Sequence, residues 1–500
     1  MREELRRLLS HEWSSLLIAA AGGALWAGCF GRQALTVAPV LALVPIFLLL
    51  GTPRPALAGF VHGLVFWAVS MSWIRPTLET YGGLAPWLSA PAMVLLASYL
   101  GSYTAIFGWI GSRLWSRSVP VVLVALPALW VTLETLRGWM LGGFPWNLAG
   151  YAAAEIPGAL ATASLVGVYG ISFLVLMVNA ALALGLSRRS FRIPIVTALI
   201  VGGLLQWAAT DGGGSPEQPE SPTVKLVQPN TEILTVWEEA SARRNYSRLM
   251  EFSRRACQSG PALLVWPESA SWPLSFERHE SLRRDVVELA RRGCPVIVNS
   301  PARRGDEVFN SVYLVTGGAE AARYDKRHLV PFGEYVPWWS RLPFVGTIAR
   351  RVGNFTPGAE DRLLEWEGEL LGMAICFEVI FPEETARRVA AGATVLVTVT
   401  NDGWYGDSTA PWQHFRMARF RAAENRRPLL RAALTGVSGV VSADGSVAQQ
   451  LGVGKEGILE TTLRGNRERT FYNRAPWVVP VLSWIVAAFA IFRGSRARRS

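Results

Sequence analysis

Eight long apolar stretches, separated by short polar turns, dominate the chain at residues 13–30, 36–51, 56–74, 86–110, 119–136, 158–186, 193–209 and 475–492. Most reach the roughly 17 to 25 residues that a helix needs to cross hydrocarbon, so the pattern predicts about eight spans, the second and seventh being the shortest. Between the seventh and eighth the pattern changes at Asp211-Gly212-Gly213-Gly214-Ser215-Pro216. From there, short β-rich runs (224–227, 262–266, 295–299, 308–316, 370–376, 394–400, 429–434) alternate with helical stretches such as 240–257 and 411–426. The predicted organisation is an α-helical membrane bundle of about seven spans over 1–210, a linker at 211–222, an α/β domain over 223–470, and a last span with a basic tail over 471–500.

Composition supports the spans: half the residues are hydrophobic and only 17% are charged, too apolar a balance for an ordinary soluble protein. The net charge of +11 raises the possibility of a nucleic-acid partner, but its placement argues against one. Arg2, Arg6, Arg7, Arg54, Arg113, Arg117, Arg188, Arg189, Arg192, Arg493, Arg496, Arg498 and Arg499 fall on one side of the spans, against Arg32, Arg75 and Arg137 on the other. This bias puts both termini in the cytoplasm and the α/β domain on the outer face. Basic segments beside anionic lipid account for the charge.

Trp26-Ala27-Gly28-Cys29 faintly resembles a lipoprotein cleavage box. Trp26 fits it poorly, however, and further spans follow at once, so the first helix is expected to be retained. The four cysteines have no metal-ligand spacing; Cys257 and Cys294 are expected as buried free thiols, with a disulfide as the alternative in an oxidising compartment. The five histidines show no metal-like pairing either, so neither metal nor cofactor is expected.

The candidate chemistry centres on Cys376. It ends the apolar run Leu370 to Ile375 and precedes a helix start at Pro382, a place expected to leave the sulfur exposed near unpaired N–H groups that favour a thiolate. Glu268, in Val265-Trp266-Pro267-Glu268-Ser269, and Lys326, in the block Tyr324 to Tyr335, add a base and a cation. Each has a duller use: a glutamate at a strand end is commonly solvated, and a lone cysteine commonly buried and inert. Lys326 stands out because only Lys225, Lys326 and Lys455 are lysines, leaving 46 of the 49 basic residues as arginine. A compact ammonium there points to a point-charge role.

The order Glu268, Lys326, Cys376 is similar to that of the nitrilase superfamily, and nearly the whole chain resembles the apolipoprotein N-acyltransferases. The matching segments are Gly143 to Leu148, Val227-Gln228-Pro229-Asn230 with Trp237, Trp266 to Ser269, Lys326 to Pro337, Cys376-Phe377-Glu378 and Thr400 to Ser408. The resemblance implies a nitrilase-like α-β-β-α sandwich on a membrane bundle of the bacterial inner membrane. It also implies a phospholipid acyl donor and, as acceptor, the amino group of a diacylglyceryl-modified apolipoprotein. Cys376 is then the nucleophile, Glu268 the general base, Lys326 the oxyanion holder, and Glu334 the group that orients Lys326 or the amine. Glu378, Trp404 and Trp237 match residues that line the acyl pocket or support the nucleophile, with core packing as their alternative use. Phe377 stands where tyrosine is frequent in the family.

Trp338 and Trp339 lie in the aromatic, proline-broken segment Val336 to Gly346, which either dips into the lipid interface or folds over the domain's own core. Trp146 sits in the outer segment Phe144-Pro145-Trp146 and is expected to face the domain, and Trp146, Trp338 and Trp339 join the candidate substrate-binding residues. Two rival functions remain: a membrane-anchored nitrilase-type amidase, with water as acceptor, and a catalytically dead module that binds lipoproteins.

The arginine bias makes a topological prediction. An alkaline phosphatase reporter joined after Asp211 should be active and one joined after Arg496 inactive; the reverse pattern overturns the outer-face assignment.

Overall fold

The computed structural model describes residues 11–32, 38–210, 221–231, 239–318, 321–337 and 354–496. The chain forms two compact units, one of residues 1–79, 84–212 and 475–500, the other of 80–83 and 213–474.

In the first unit the apolar stretches form helices α1 (Glu12–Gly28), α2 (Pro55–Ser70), α3 (Ile74–Thr80), α4 (Pro86–Trp115), α5 (Val119–Arg137), α6 (Ala159–Arg188) and α7 (Arg192–Thr210). Among the described residues, α4, α5, α6 and α7 are long and apolar enough to cross a membrane. The pair α2 and α3, bent by 52°, makes a fifth if it counts as one span. The second predicted span is not one straight helix. Pro39 and Pro45 break it into short turns, Ala38–Val40, Val44–Leu48 and Leu49–Gly51. Asn179 of α6 accepts the Leu43 N–H at 3.0 Å and donates to the Pro39 carbonyl at 2.8 Å, serving backbone groups that the breaks leave unpaired.

Helices α2 and α4 touch backbone to backbone. A side chain at Gly59 would collide with the Thr104 carbonyl, and one at Gly108 with the Pro55 carbonyl. Gly59 and Gly63 thus form the small-residue contact that lets apolar helices pack where lipid removes the hydrophobic drive.

The second unit is a sandwich of two mixed six-stranded sheets. Its first sheet holds β1 (Thr223–Gln228), β2 (Leu263–Val265), β3 (Val296–Arg304), β4 (Glu307–Val315) and β5 (Ala322–Asp325). The second holds β6 (Leu364–Trp366), β7 (Glu369–Ile375), β8 (Val395–Thr400), β9 (Leu429–Ala433), β10 (Ser438–Val441) and β11 (Val447–Leu451), while β12 (Gly457–Thr462) returns to the first. The orders are 12-1-2-3-4-5 and 11-10-9-8-7-6. Strands β1 to β3 run parallel, as do β7 to β9.

Alternation along the strands builds the layers. Leu263, Val265, Ile297, Val312, Met373, Ile375, Val397 and Val399 meet between the sheets. Leu264, Val296 and Val298 face outward onto Leu249 and Met250 of α8 (Glu239–Gln258) and onto Leu282, Val286 and Leu289 of α9 (Glu280–Arg291). Helices α10 (Pro382–Ala390) and α11 (Ala410–Asn425) pack against strands of the second sheet, giving the α-β-β-α order. Each fully buried Leu, Ile or Val contributes about 1.5–3 kcal/mol. Cys257 and Cys294, expected as free thiols, are joined by a disulfide, because α8 packs its C-terminal end beside the start of β3. The chain then rejoins the first unit with α12 (Val478–Arg496).

The glycine contact generates a test within the first unit. Gly59→Val or Gly108→Val should lower the thermal midpoint of the detergent-solubilised protein by several degrees or more, since overpacking costs about 1–3 kcal/mol and here the obstacle is backbone. Wild-type melting would show that the helices can separate at no cost.

Candidate active site

The C-terminal ends of the parallel strands converge on one buried cluster, the usual place for a site in parallel sheets. Glu268 follows β2, Thr400 ends β8 with Asn401 next, and Cys376 follows β7; Lys326 comes directly after β5 on the same sheet as β2. Glu268, Lys326 and Cys376 are 6%, 1% and 5% exposed. One Glu268 oxygen accepts from Asn310 Nδ2 at 3.0 Å and the other from the Asn401 N–H at 3.0 Å. Lys326 Nζ donates to Glu334 Oε1 at 2.9 Å and lies 3.9 Å from Glu268 Oε1. Glu334 is fixed in turn by Asn310 at 2.8 Å and by the Val330 N–H at 2.8 Å. Asn310 thus ties both carboxylates together.

The charges in this pocket decide what each group can do. Burial disfavours the Lys326 ammonium, but Glu334 and Glu268 more than offset it and hold its pKa above the ordinary lysine value. Burial pushes the Glu268 pKa up; Lys326 pulls it down, Glu334 pushes it up again, and the outcome is raised. Burial and the Glu268 charge also raise the Cys376 thiol, against the pull of Lys326. The expected exposed thiolate is therefore corrected. The sulfur rests as a buried neutral thiol, because its sheet-end position is roofed over and the net charge beside it is negative.

Cys376 has φ of +53°, a left-handed conformation uncommon for a residue with a side chain. Such strain costs about 1–3 kcal/mol and persists where the surroundings hold it. Glu378 supplies part of the hold. Its fully buried carboxylate accepts from the Ile375 N–H at 2.7 Å, the Tyr324 hydroxyl at 2.8 Å and the Arg327 N–H at 2.8 Å, and pairs with Arg388 at 3.3 Å. It thereby straps the strand bearing Cys376 to the segment bearing Lys326. Glu378, expected to line the acyl pocket or support the cysteine, is fully buried, and its bonds run to the strand before Cys376 and to the segment after Lys326.

The other expected positions separate. Trp404, on the turn Asp402–Tyr405, is 38% exposed and meets Tyr81 edge-on at 5.0 Å, while the Tyr81 hydroxyl donates to the Gly403 carbonyl at 2.9 Å. Trp146 is wholly buried in the first unit, packed on Phe144 at 5.9 Å and Trp73 at 5.4 Å, with its carbonyl held by Arg137 at 2.8 Å. In this conformation it offers no face to a substrate. Trp237, Trp338 and Trp339 lie outside the described residues. Asn310 was not singled out from sequence. Its signal was present: an amide inside the apolar run of β4, where an unpaired polar group is costly.

Residues 223–471 match the family Carbon-nitrogen hydrolase, so the sandwich with its buried Glu, Lys and Cys is a nitrilase-like domain. Residues 22–181 match the Apolipoprotein N-acyltransferase N-terminal domain. An apolipoprotein N-acyltransferase of Geobacter metallireducens is 35% identical over 502 residues, covering 96% of each chain. One of Vibrio cholerae is 31% identical over 522 residues, covering 99% of this chain and 100% of the relative. Among solved structures, an amidase from Nesterenkonia sp. aligns at 22% identity with a TM-score of 0.39, covering 51% of this chain and 95% of that one. The chain belongs to the apolipoprotein N-acyltransferase family and is an N-acyltransferase enzyme.

The cluster's electrostatics set a pH dependence. Glu268 accepts the thiol proton only when ionised, and its pKa is held above the usual value by burial and Glu334. Alkylation of Cys376 by a small soluble reagent should therefore fall on acidification at a pH above the ordinary glutamate value of about 4.3, and Glu268→Gln should lose that step. A step at or below the ordinary value, or one unchanged in the variant, overturns the assignment of the base.

Proposed function

We propose that Cys376 takes a fatty acyl chain from a phospholipid as a thioester and passes it to the N-terminal amino group of the diacylglyceryl-cysteine of an apolipoprotein. One observation carries the reading. A carboxylate fixed by two donors sits 3.9 Å from a buried lysine, in a cluster whose charges act on a thiol resting protonated. A lipid ester acylates amines sluggishly, and splitting the transfer through a thioester makes two easier steps.

In the first half-reaction Glu268 takes the Cys376 proton as sulfur bonds to the ester carbonyl. The carbon–oxygen ester bond then breaks, and Glu268 returns the proton to the leaving lysophospholipid oxygen. In the second half-reaction the acceptor amine attacks the thioester, Glu268 takes the amine proton, and the carbon–sulfur bond breaks as the sulfur regains that proton. Lys326 holds the oxyanion of each tetrahedral intermediate, and Glu334 fixes Lys326 for that task. The exposed face of Trp404, with Trp237, Trp338 and Trp339, serves the acyl chain or the lipid interface.

We place the protein in the bacterial inner membrane with both termini cytoplasmic and the catalytic domain on the outer face. The arginine distribution and the Cys257–Cys294 disulfide, a bond favoured in oxidising compartments, support this reading. On this reading α1, the broken segment 38–51 and α12 also traverse the bilayer, completing eight passes.

Intact mass after incubation with phospholipid alone tests the mechanism. Wild type should gain one acyl group, removable by neutral hydroxylamine, and Cys376→Ala none. Cys376→Ser should stall as an oxygen ester, and Glu268→Gln should slow both half-reactions roughly 100-fold to 10,000-fold. Lys326→Arg should also fail, because a broad guanidinium misplaces the charge. Acylation of the acceptor by Cys376→Ala at the wild-type rate sinks the covalent mechanism, and release of free fatty acid in place of amide product makes the enzyme a hydrolase.

A further inference from the structure

Behind the nucleophile lies a second charged cluster that the chemistry above does not use. Asp402, His414 and Arg431 come from the turn after β8, from α11 and from β9, and each is at most 1% exposed. Arg431 donates to Asp402 Oδ2 at 2.8 Å and stands 3.0 Å from His414 Nδ1, which is itself 3.0 Å from Asp402 Oδ1. The other ring nitrogen, Nε2, lies 3.1 Å from the carbonyl oxygen of Cys376. That oxygen can only accept, so Nε2 carries a proton in either charge state of the ring. The Thr400 hydroxyl donates to Asp402 Oδ1 at 2.9 Å.

These contacts reach Cys376 through its carbonyl. Cys376 is also the residue held at positive φ, where a peptide plane left unheld would swing back toward the extended region. Glu378 secures the N–H of Ile375, the residue before it, and His414 secures the carbonyl of Cys376 itself. Burying an ion pair this deeply gains little stability over apolar packing, so a geometric role accounts for it better than a stabilising one. Burial pushes the Asp402 pKa up, but Arg431 and His414 bring it down to about 2, so the carboxylate is charged at any working pH.

We propose that Arg431, Asp402 and His414 are positioning residues that lock the carbonyl side of Cys376, so that the sulfur is presented to Glu268 and the incoming ester. The proposal rests on Cys376 being the nucleophile. His414 supplies a side-chain donor to the carbonyl; Asp402 and Arg431 fix the ring that carries it.

The test uses the full-length enzyme in detergent, with acyl loading from phospholipid followed by intact mass and with a thermal midpoint for each variant. His414→Phe keeps a flat ring without a donor and should load 10-fold to 100-fold more slowly at saturating phospholipid, with the half-saturating phospholipid concentration unchanged. His414→Gln, whose amide can still donate, should recover to within about 10-fold of wild type. Loading by His414→Phe at the wild-type rate, or a folded His414→Gln no faster than a folded His414→Phe, overturns the proposal. If His414→Phe does not fold, His414→Gln decides alone: loading within 10-fold of wild type supports the lock. A slower rate, or failure of this variant to fold as well, reduces the contact to a folding requirement and overturns it. Cys376→Ala run in parallel separates the two readings. If it still loads, the nucleophile is misassigned; if it is inert while His414→Phe is normal, the lock alone is wrong.

Discussion

Placing two carboxylates and one ammonium inside a protein sandwich is the constraint on which the active site turns. An ammonium as buried as Lys326 keeps its proton only if negative charge stands beside it, and Glu334 at 2.9 Å with Glu268 at 3.9 Å supplies that charge. The same carboxylates leave the pocket with more negative charge than positive. That surplus keeps the nearby thiol neutral and lifts Glu268 toward a basicity useful for taking a proton. Asn310 and the Asn401 N–H give the Glu268 oxygens other partners, so Glu268 stands 3.9 Å from the lysine while Glu334 pairs with it directly. The states of both carboxylates, the ammonium and the thiol are thus set by one electrostatic arrangement.

The backbone answers a parallel demand. Cys376 follows a strand that ends abruptly, and its left-handed turn is held by partners drawn from several elements. Glu378 reaches β7, β5 and α10 with a single carboxylate. In the membrane unit, Asn179 does comparable work on the broken segment, serving an N–H and a carbonyl where proline interrupts the helix. Both cases follow one rule: irregular backbone inside a protein is tolerated where a polar side chain completes its hydrogen bonds.

Much of this was legible in the sequence because it rests on long patterns. Apolar length marked the helices of the first unit, and short continuous β-rich runs marked the central strands, which are buried on both faces. Strands β5, β6 and β10 to β12 were not marked: they are short, and β11, Val447–Leu451, has three exposed residues among its five. At the site, Glu268, Lys326, Glu334 and Cys376 were readable from motifs, and the structure brings them into one cluster. The burial of Cys376, the placement of Glu378 beneath it and the link through Asn310 were not, because they depend on how two sheets face each other. The Cys257–Cys294 bond escaped for a like reason, since 37 residues of sequence say nothing of the packing of α8 beside β3.

A cysteine held as a neutral, buried thiol is also chemically quiet. Peroxides and stray disulfides react with thiolates, and they need access to the sulfur. Among the described residues this fold carries one oxidised cysteine pair in the same domain as the free, buried Cys376. Burial and the adjoining negative charge keep Cys376 out of exchange chemistry until a substrate carbonyl and a ready base meet it together. The features that slow the resting thiol are therefore what would let such an enzyme keep its reactive sulfur under oxidising conditions without a dedicated reductant.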